Sequence, residues 1–124
     1  MDALDWVRRY EAAWRAPGTE ALIGVFAPGA RYRRSPYHDP IVGLDAIGAF
    51  WERERSGPDE VFTLAAEVVA AQDDTAVVRV EVRYTDPPPR EYRDLWVVRL
   101  HGEGLCIDFE EWPFWPGQPI TAPP

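Results

Sequence analysis

Two neighbouring segments decide the fold: residues 76–84 read AVVRVEVRY, and residues 91–100 read EYRDLWVVRL. In both, every second residue is mostly apolar or aromatic and the residues between are mostly charged, which is the pattern of a β-strand with one buried face. A short Pro-rich segment at 86–89 joins them, so they form a hairpin. Two further β segments, Glu60–Ala71 and Leu105–Phe114, flank the hairpin, and we predict a four-stranded antiparallel meander.

The charged residues of the central hairpin predict its register. In the register set by the Pro-rich loop, Glu81 lies opposite Arg93 and Arg83 lies opposite Glu91. Opposite charges on facing strand positions attract by about 0.2–1 kcal/mol per pair. A slip of one residue would lose both pairs, so the two matches support the same register.

The last hairpin brings two acidic residues to the apolar face. With a two-residue turn at Gly102-Glu103, Asp94 faces Glu111 directly, on the side that the helices cover. Two carboxylates in a low-dielectric enclosure cannot both ionise cheaply, so the pKa of one is raised. Such a pair provides an acid and a base near neutral pH. A structural cluster with arginine and a solvated rim of the sheet are the alternatives.

The opposite face of the sheet is predicted to be charged. It carries alternating Arg and Glu side chains, interrupted by Leu95, Val97 and Trp112. Apolar side chains among arginines on an open sheet suggest a homodimer interface, and an ordinary solvated face is the alternative. Cys106 is also predicted on this charged face, in a packing role.

Helices are predicted before the meander. A first helix covers about residues 3–15, a second runs from Thr19 through Phe26, and a third covers about 43–55. Each has apolar residues at three- and four-residue spacing. A short strand at 30–35 precedes the third helix. We therefore predict an α+β domain in which three N-terminal helices pack on the concave face of a curved antiparallel sheet.

Length, composition and charge limit the class of protein. The 124 residues fit one domain, predicted at 1–116, followed by a Pro-rich tail at 117–124. The net charge of −8 repels phosphate backbones, which argues against nucleic acid as a partner. No apolar run approaches the ~20 residues that span a bilayer, so no membrane partner is expected. One cysteine and no apolar signal segment favour the cytoplasm.

A pocket is predicted between the helices and the sheet. In it Glu111 would act as a base with Asp94 as its partner, and Tyr10 or Arg33 would stabilise developing negative charge. His38 would present a base from a Pro-bracketed loop, or lie on the surface. No metal-ligand spacing or phosphate-binding loop is present, so neither metal nor cofactor is expected. The predicted pocket residues are Trp14, Arg33, Ser35, His38, Phe50, Val78, Val80, Trp96 and Phe109.

Several stretches carry a family resemblance: YEAAW at 10–14, LIGVFAPGARY at 22–32, GLDAIGAFW at 43–51, WVVRL at 96–100 and FEEW at 109–112. In this order they resemble the SnoaL-like, nuclear transport factor 2-like superfamily, over about residues 4–115. The resemblance implies a cone-shaped α+β fold with a pocket, and frequent homodimers packed through the sheet. Because this fold hosts many chemistries, the resemblance is specific for the fold and not for one reaction.

Known members of this superfamily include ketosteroid isomerase, polyketide cyclases, scytalone dehydratase, limonene epoxide hydrolase and non-catalytic proteins. The resemblance places the isomerase's helix-one tyrosine on Tyr10, but its two aspartates fall on Ser35 and near Trp96. The isomerase mechanism is therefore not expected here. The hydrolase's acidic residue in the last strand matches Glu111, whereas its other polar residues have only rough, outward-facing counterparts.

These observations predict a pocket protein for a small hydrophobic molecule. The leading hypothesis is cofactor-free acid–base chemistry, such as cyclisation, isomerisation, dehydration or hydrolysis. The rival is a non-catalytic ligand-binding or dimerisation module. In that case fixed arginine contacts neutralise Asp94 and Glu111, or the side chains of Trp14, Trp96 and Phe109 fill the space. Whether the chain is an enzyme stays open at this point.

Overall fold

Six strands form one mixed sheet with two α-helices on one face. A computed structural model describes residues 2–55 and 60–119, so most of the predicted tail lies outside the described residues. The strands follow the order β2-β1-β6-β5-β4-β3 across the sheet. The elements are α1 Ala3–Arg15, β1 Phe26–Arg33, β2 Ile41–Val42, α2 Leu44–Glu54, β3 Phe62–Gln72, β4 Thr75–Tyr84, β5 Arg90–His101 and β6 Leu105–Phe114.

We had predicted an antiparallel sheet, but the observed sheet is mixed. Strand β1 runs parallel to β6, and the other neighbouring strands are antiparallel. The backbone N–H of Cys106 donates to the carbonyl of Val25 at 2.9 Å, just before the parallel ladder begins. No turn connects these two distant segments, so the sequence pattern carried no signal for their pairing.

The first and third predicted helices are confirmed, and the second is wrong. Asp2 caps α1 by accepting a hydrogen bond from the backbone of Asp5 at 3.0 Å. The predicted second helix is only a five-residue 3₁₀ turn, Glu20–Gly24, and Phe26 already begins β1. An isolated segment this short cannot offset the cost of helix nucleation. The described residues contain no helix long and apolar enough to cross a membrane.

The register of the central hairpin is confirmed. Glu81 pairs with Arg93 and Arg83 pairs with Glu91 across β4 and β5. Their charged atoms are 3.7 and 4.0 Å apart. Both pairs are well exposed, so they report the register more than they stabilise it.

The last hairpin differs from the prediction by its turn. Three residues, Gly102 to Gly104, form the loop, and a bulge between Arg99 and Leu100 shifts the register again. Glu111 therefore pairs with Trp96, and Asp94 pairs with Pro113. The shift is an even number of residues at this end of the hairpin, so both acids still lie on the covered face.

At the bulged end of the same hairpin the register differs from the prediction by one residue, so side chains there point to the opposite face from the one predicted. Cys106 is fully buried on the covered side, not on the charged face as predicted. Burial raises the pKa of its thiol to about 12, so the side chain is a neutral, inert packing group at neutral pH.

Aromatic side chains dominate the core between the helices and the sheet. The rings of Tyr10 and Trp96 are 4.5 Å apart, and those of Tyr32 and Phe109 are 4.9 Å apart. Such tilted pairs stabilise beyond their buried area. The largest fully buried side chains are Trp6, Trp51, Trp96, Tyr32, Phe26 and Phe109.

Candidate functional site

A cavity of about 340 Å³ lies between the helices and the inner face of the sheet. Its volume is within the range of small-molecule sites, so the bulky core side chains do not fill the space. Its polar lining residues include Arg34, Glu54, Arg90, Asp94 and Glu111. The aromatic lining residues are Tyr10, Trp14, Tyr32, Phe50, Phe62, Tyr84, Tyr92, Trp96 and Trp115.

Glu111 is connected to two buried phenols. The Tyr32 hydroxyl donates to Glu111 Oε2 at 3.3 Å, and the hydroxyls of Tyr10 and Tyr32 are 3.4 Å apart. Burial raises the pKa of both phenols well above their ordinary value. Both tyrosines are therefore neutral hydrogen-bond donors at physiological pH.

Asp94 is a buried carboxyl with unused hydrogen-bonding capacity. Its side chain is 7% exposed, and Oδ2 accepts a hydrogen bond from Trp96 Nε1 at 3.3 Å. Oδ1 is buried and meets no partner within the described residues. Burial raises the pKa of Asp94 to about 6, against the smaller opposing effects of hydrogen bonds from Trp96 and from the Phe114 backbone.

Besides burial, the charge of Asp94 contributes to the raised pKa of Glu111. Burial is the largest cause that raises the pKa of Glu111 to about 7, and the charge of Asp94 is the second. Arg34 and the Tyr32 hydrogen bond oppose this rise. In β-sheet geometry, diagonal neighbours such as these lie about 7–8 Å apart, close enough for the charge of Asp94 to act on Glu111.

The cavity can therefore move protons near neutral pH. A carboxyl whose pKa is about 7 is both protonated and ionised in useful amounts at that pH. Among the described residues, no group of three or more His, Cys, Asp or Glu side chains is placed to hold a metal ion. The cofactor-free character of the site stays a prediction.

An arginine–acid pair and a stacked arginine also border the cavity. Arg34 forms an ion pair with Glu54 at 3.3 Å, and its guanidinium lies 5.2 Å from the centre of the Phe50 ring. Both charged side chains are about two-fifths exposed, at 42% and 41%. The guanidinium of Arg90 lies over the Tyr84 ring at 4.4 Å.

Three of the predicted pocket residues lie elsewhere. Arg33 forms an ion pair with Glu110 at 3.0 Å and does not border the cavity, so it cannot bridge the two acids. Ser35 and His38 hydrogen-bond each other at 2.9 Å in an exposed loop. The cause is the phase of β1, because strand alternation turns Tyr32 inward and Arg33 outward.

Other predicted pocket residues belong to the core. Val78, Val80 and Phe109 are fully buried and do not line the cavity. The predicted residues that the structure brings together at the cavity are Tyr10, Trp14, Phe50, Asp94, Trp96 and Glu111.

The prediction missed two groups of site residues. Tyr32 and Arg34 lie on the inner side of β1 and its extension, and the apolar Ala30 in the same phase was a signal for this orientation. Arg90 and Tyr84 lie at the ends of β5 and β4, where a pattern of alternation gives no sign of a cavity.

Comparison with known proteins agrees with this architecture. The model of the SnoaL-like domain family matches residues 7–105. An NTF2-like protein from Anabaena variabilis ATCC 29413 superposes with a TM-score of 0.76 at 11% identity, covering 94% of this chain and 89% of that chain. A ketosteroid isomerase-like protein from Erwinia carotovora atroseptica SCRI1043 gives 0.63 at 19% identity, with 91% and 94% covered.

A third solved structure extends the range of uses of this fold. A computationally designed 17-OHP binder superposes with a TM-score of 0.69 at 18% identity, covering 94% of this chain and 97% of that chain. Identities this low indicate a shared fold and not a shared activity. No curated protein matches the chain.

Proposed function

We propose, from the premise that this chain belongs to the SnoaL-like domain family, that it is a cofactor-free acid–base enzyme acting on a small hydrophobic molecule. The reaction class is proton transfer leading to isomerisation or cyclisation, with dehydration and hydrolysis as variants of the same chemistry. The observation that carries the proposal is the pair of coupled carboxyls, Asp94 and Glu111, in one aromatic cavity.

Glu111 is the proposed base. At neutral pH a carboxylate with a pKa of about 7 is a stronger base than an ordinary carboxylate, and it is still substantially ionised. It would take a proton from a substrate carbon or hydroxyl and later return that proton at a different atom. Asp94 would act by raising the basicity of Glu111 through its charge.

Tyr10 is the proposed donor for developing negative charge. Its 3.4 Å distance from the Tyr32 hydroxyl is long for a hydrogen bond between hydroxyls, so that contact is weak. The O–H of Tyr10 can turn to a substrate oxygen without losing a strong partner. Tyr32 keeps its own contact with Glu111, which at 3.3 Å is also long, so it restrains the carboxylate only weakly.

The rival proposal, a non-catalytic binding module, predicts that arginines neutralise the acids. Arg34 makes its ion pair with Glu54 and only partly offsets the raised pKa of Glu111. The side chains that hydrogen-bond Asp94 and Glu111 are Trp96 and Tyr32. This arrangement favours the enzyme. The rival would be supported if ligands bound tightly and no base-catalysed reaction occurred.

The test is a general-base reaction that needs no knowledge of the natural substrate. In the Kemp elimination of nitrobenzisoxazole a base removes the ring C–H proton while the N–O bond breaks, which gives a cyanophenolate and the protonated base. We expect the protein to catalyse it and Glu111→Gln to lower the rate by about 10²-fold. Glu110→Gln, on the outer face, is the matched control and should keep the rate. Equal rates for Glu111→Gln and the parent protein would exclude Glu111 as the base.

We also propose a homodimer that packs through the outer sheet face. Leu95, Val97 and Trp112 lie half-buried among charged side chains on this face. A partner would cover these apolar groups, as interface cores do. Leu95→Arg should convert the dimer to a monomer in analytical ultracentrifugation, whereas Ala46→Arg on exposed α2 should not. A monomeric parent protein would refute the dimer.

A further inference from the structure

We infer that Arg90 binds an anionic group of the ligand, so that the cavity takes a flat, elongated molecule with a carboxylate at one end. The inference rests on the proposed function only for the opposite end, where Asp94 and Glu111 meet the reacting part of the molecule. Arg90 itself would be a specificity-determining residue and not part of the proton transfer.

Arg90 is held in a fixed position with unused hydrogen-bonding capacity. It borders the cavity, and its guanidinium stacks 4.4 Å above the Tyr84 ring, which faces it across the β4–β5 hairpin. Its Nε is buried and meets no acceptor within the described residues. A guanidinium that lies over a ring can still use its N–H groups to bind a carboxylate by two parallel hydrogen bonds.

The other arginines of the described chain are either paired or exposed. Nine of them form ion pairs with a carboxylate, including Arg34 with Glu54 at the same cavity. Arg8, Arg31 and Arg53 have no such pair and are exposed. Arg90 is the half-buried arginine without a carboxylate partner in residues 2–55 and 60–119. A carboxylate of the ligand would supply the ion-pair partner that Arg90 lacks.

Strand β5 spaces the two ends of the site. Arg90, Tyr92 and Asp94 lie on the same face of the strand, and all three line the cavity. Four residues of strand span about 13 Å at ~3.3 Å per residue. Along this face of β5, which we call the wall of the cavity, a cation (Arg90) is followed by an aromatic ring (Tyr92) and then by an acid (Asp94). A matching ligand has its anionic group and its reacting centre separated by a flat apolar body.

At the Arg90 end of the cavity a carboxylate fits better than an organic cation does. Phe50 and Phe62, two aromatic rings that line the cavity, already carry the guanidinium groups of Arg34 and Arg15, which lies 3.9 Å from the centre of the Phe62 ring. Arg15 and Arg34 are each paired with a glutamate, so among the described lining residues Arg90 is the arginine left for a ligand anion. The distance along β5 keeps a carboxylate on Arg90 away from the negative charge of Asp94, which limits repulsion between them. The charge of Glu60, which after burial raises the pKa of Tyr84, also acts at this end of the cavity and opposes the binding of an anion there.

The experiment compares three matched probes: anthracene-2-carboxylate, its methyl ester and its carboxamide. Their dissociation constants are measured by quenching of tryptophan fluorescence, since Trp14, Trp96 and Trp115 line the cavity. We expect the carboxylate to bind roughly tenfold or more tightly than the ester and the amide, the usual gain from a charge-assisted hydrogen bond. Arg90→Gln should abolish this preference, and Arg90→Lys should keep part of it. Arg53→Gln, with the same change of charge on the exposed side of α2, should keep all of it.

Three results would overturn the inference. They are equal affinities for the carboxylate and the ester, a preference that survives in Arg90→Gln, and no binding of any of the probes. Glu111→Gln separates this inference from the proposed function, because it should lose the Kemp reaction and keep the preference for the carboxylate. A protein that keeps the preference but has no base activity refutes only the enzyme, and the reverse result refutes only the role of Arg90.

Discussion

Asp94 and Glu111 oppose folding when they are ionised. Their pKa values in the folded chain, about 6 and about 7, are above those of ordinary carboxyls, because burial favours the protonated form. The folded protein is therefore free of this penalty below about pH 4, where both carboxyls are protonated in the folded and in the unfolded chain. The free energy of unfolding falls as the pH rises from there through about 6 and then about 7, where Asp94 and Glu111 ionise in the folded chain.

Replacing the Glu111 carboxylate by an amide should consequently stabilise the protein at high pH. We expect Glu111→Gln to raise the free energy of unfolding by about 1–3 kcal/mol at about pH 8, and to give no gain at about pH 4. Urea unfolding at the two pH values measures this. Glu110→Gln is the control. It makes the same change at a residue that is paired with Arg33, so it should not stabilise the protein at high pH. A less stable Glu111→Gln protein at high pH would contradict the account.

The influence of Asp94 on Glu111 predicts a shift in the pH dependence of catalysis. The Kemp rate of the parent protein should rise with pH through about 7, as Glu111 becomes ionised. Asp94→Asn removes the charge that is the second cause of the raised pKa of Glu111. The midpoint of the rate profile should therefore move to lower pH. A midpoint that stays in place, or moves upward, would show that the two carboxyls are not coupled.

At the scale of elements, the meander could be predicted because its signals are local. The alternation of the strands and two cross-strand charge pairs determined the faces and the register of β4 and β5. The parallel pairing of β1 with β6 had no local signal. The last turn was misjudged by one residue because two glycines, Gly102 and Gly104, both adopt positive φ, at 55° and 84°. The acids remained on the predicted face only because the shift at their level is even.

The candidate site was predicted less completely than the fold. The paired acids and Tyr10 could be found from the strand faces and the helix stripe. Arg33 was favoured over Tyr32 as an inward residue because the phase of a short strand is uncertain without its neighbours. The Arg90–Tyr84 pair could not be recognised as part of a site, because only the three-dimensional course of the strands brings these hairpin ends to the cavity.

One glycine connects the elements around the site. Gly43 follows β2 and precedes α2, its φ is +92°, and its N–H donates to the carbonyl of Ala30 at 2.9 Å. Most L-residues are strained in this conformation, so Gly43→Ala should lower the free energy of unfolding by about 1–3 kcal/mol. Thermal unfolding measures the loss. Gly24→Ala is the control, because an added Cβ there meets no atom within 4 Å. Equal stabilities of the two variants would contradict the role assigned to Gly43.

At the scale of the whole molecule, the fold combines a rigid aromatic core with a partly polar cavity. The core rings pack against each other from both helices and from the sheet, which holds the inner face of β5 and β6 in place. Preorganised groups in such a site cost little rearrangement when a ligand binds. Residues that oppose stability, as the two acids do, are expected at a functional site.

The central claim is that the two cavity carboxyls, Asp94 and Glu111, titrate near neutral pH and that, besides burial, the charge of Asp94 raises the pKa of Glu111. Side-chain ¹³C carboxyl NMR of the ligand-free protein measures it directly, with Asp94→Asn and Glu111→Gln to assign the two resonances. The account predicts midpoints of about 6 for Asp94 and about 7 for Glu111, and a lower midpoint for Glu111 in Asp94→Asn. Two independent titrations near the ordinary value of about 4 would contradict it.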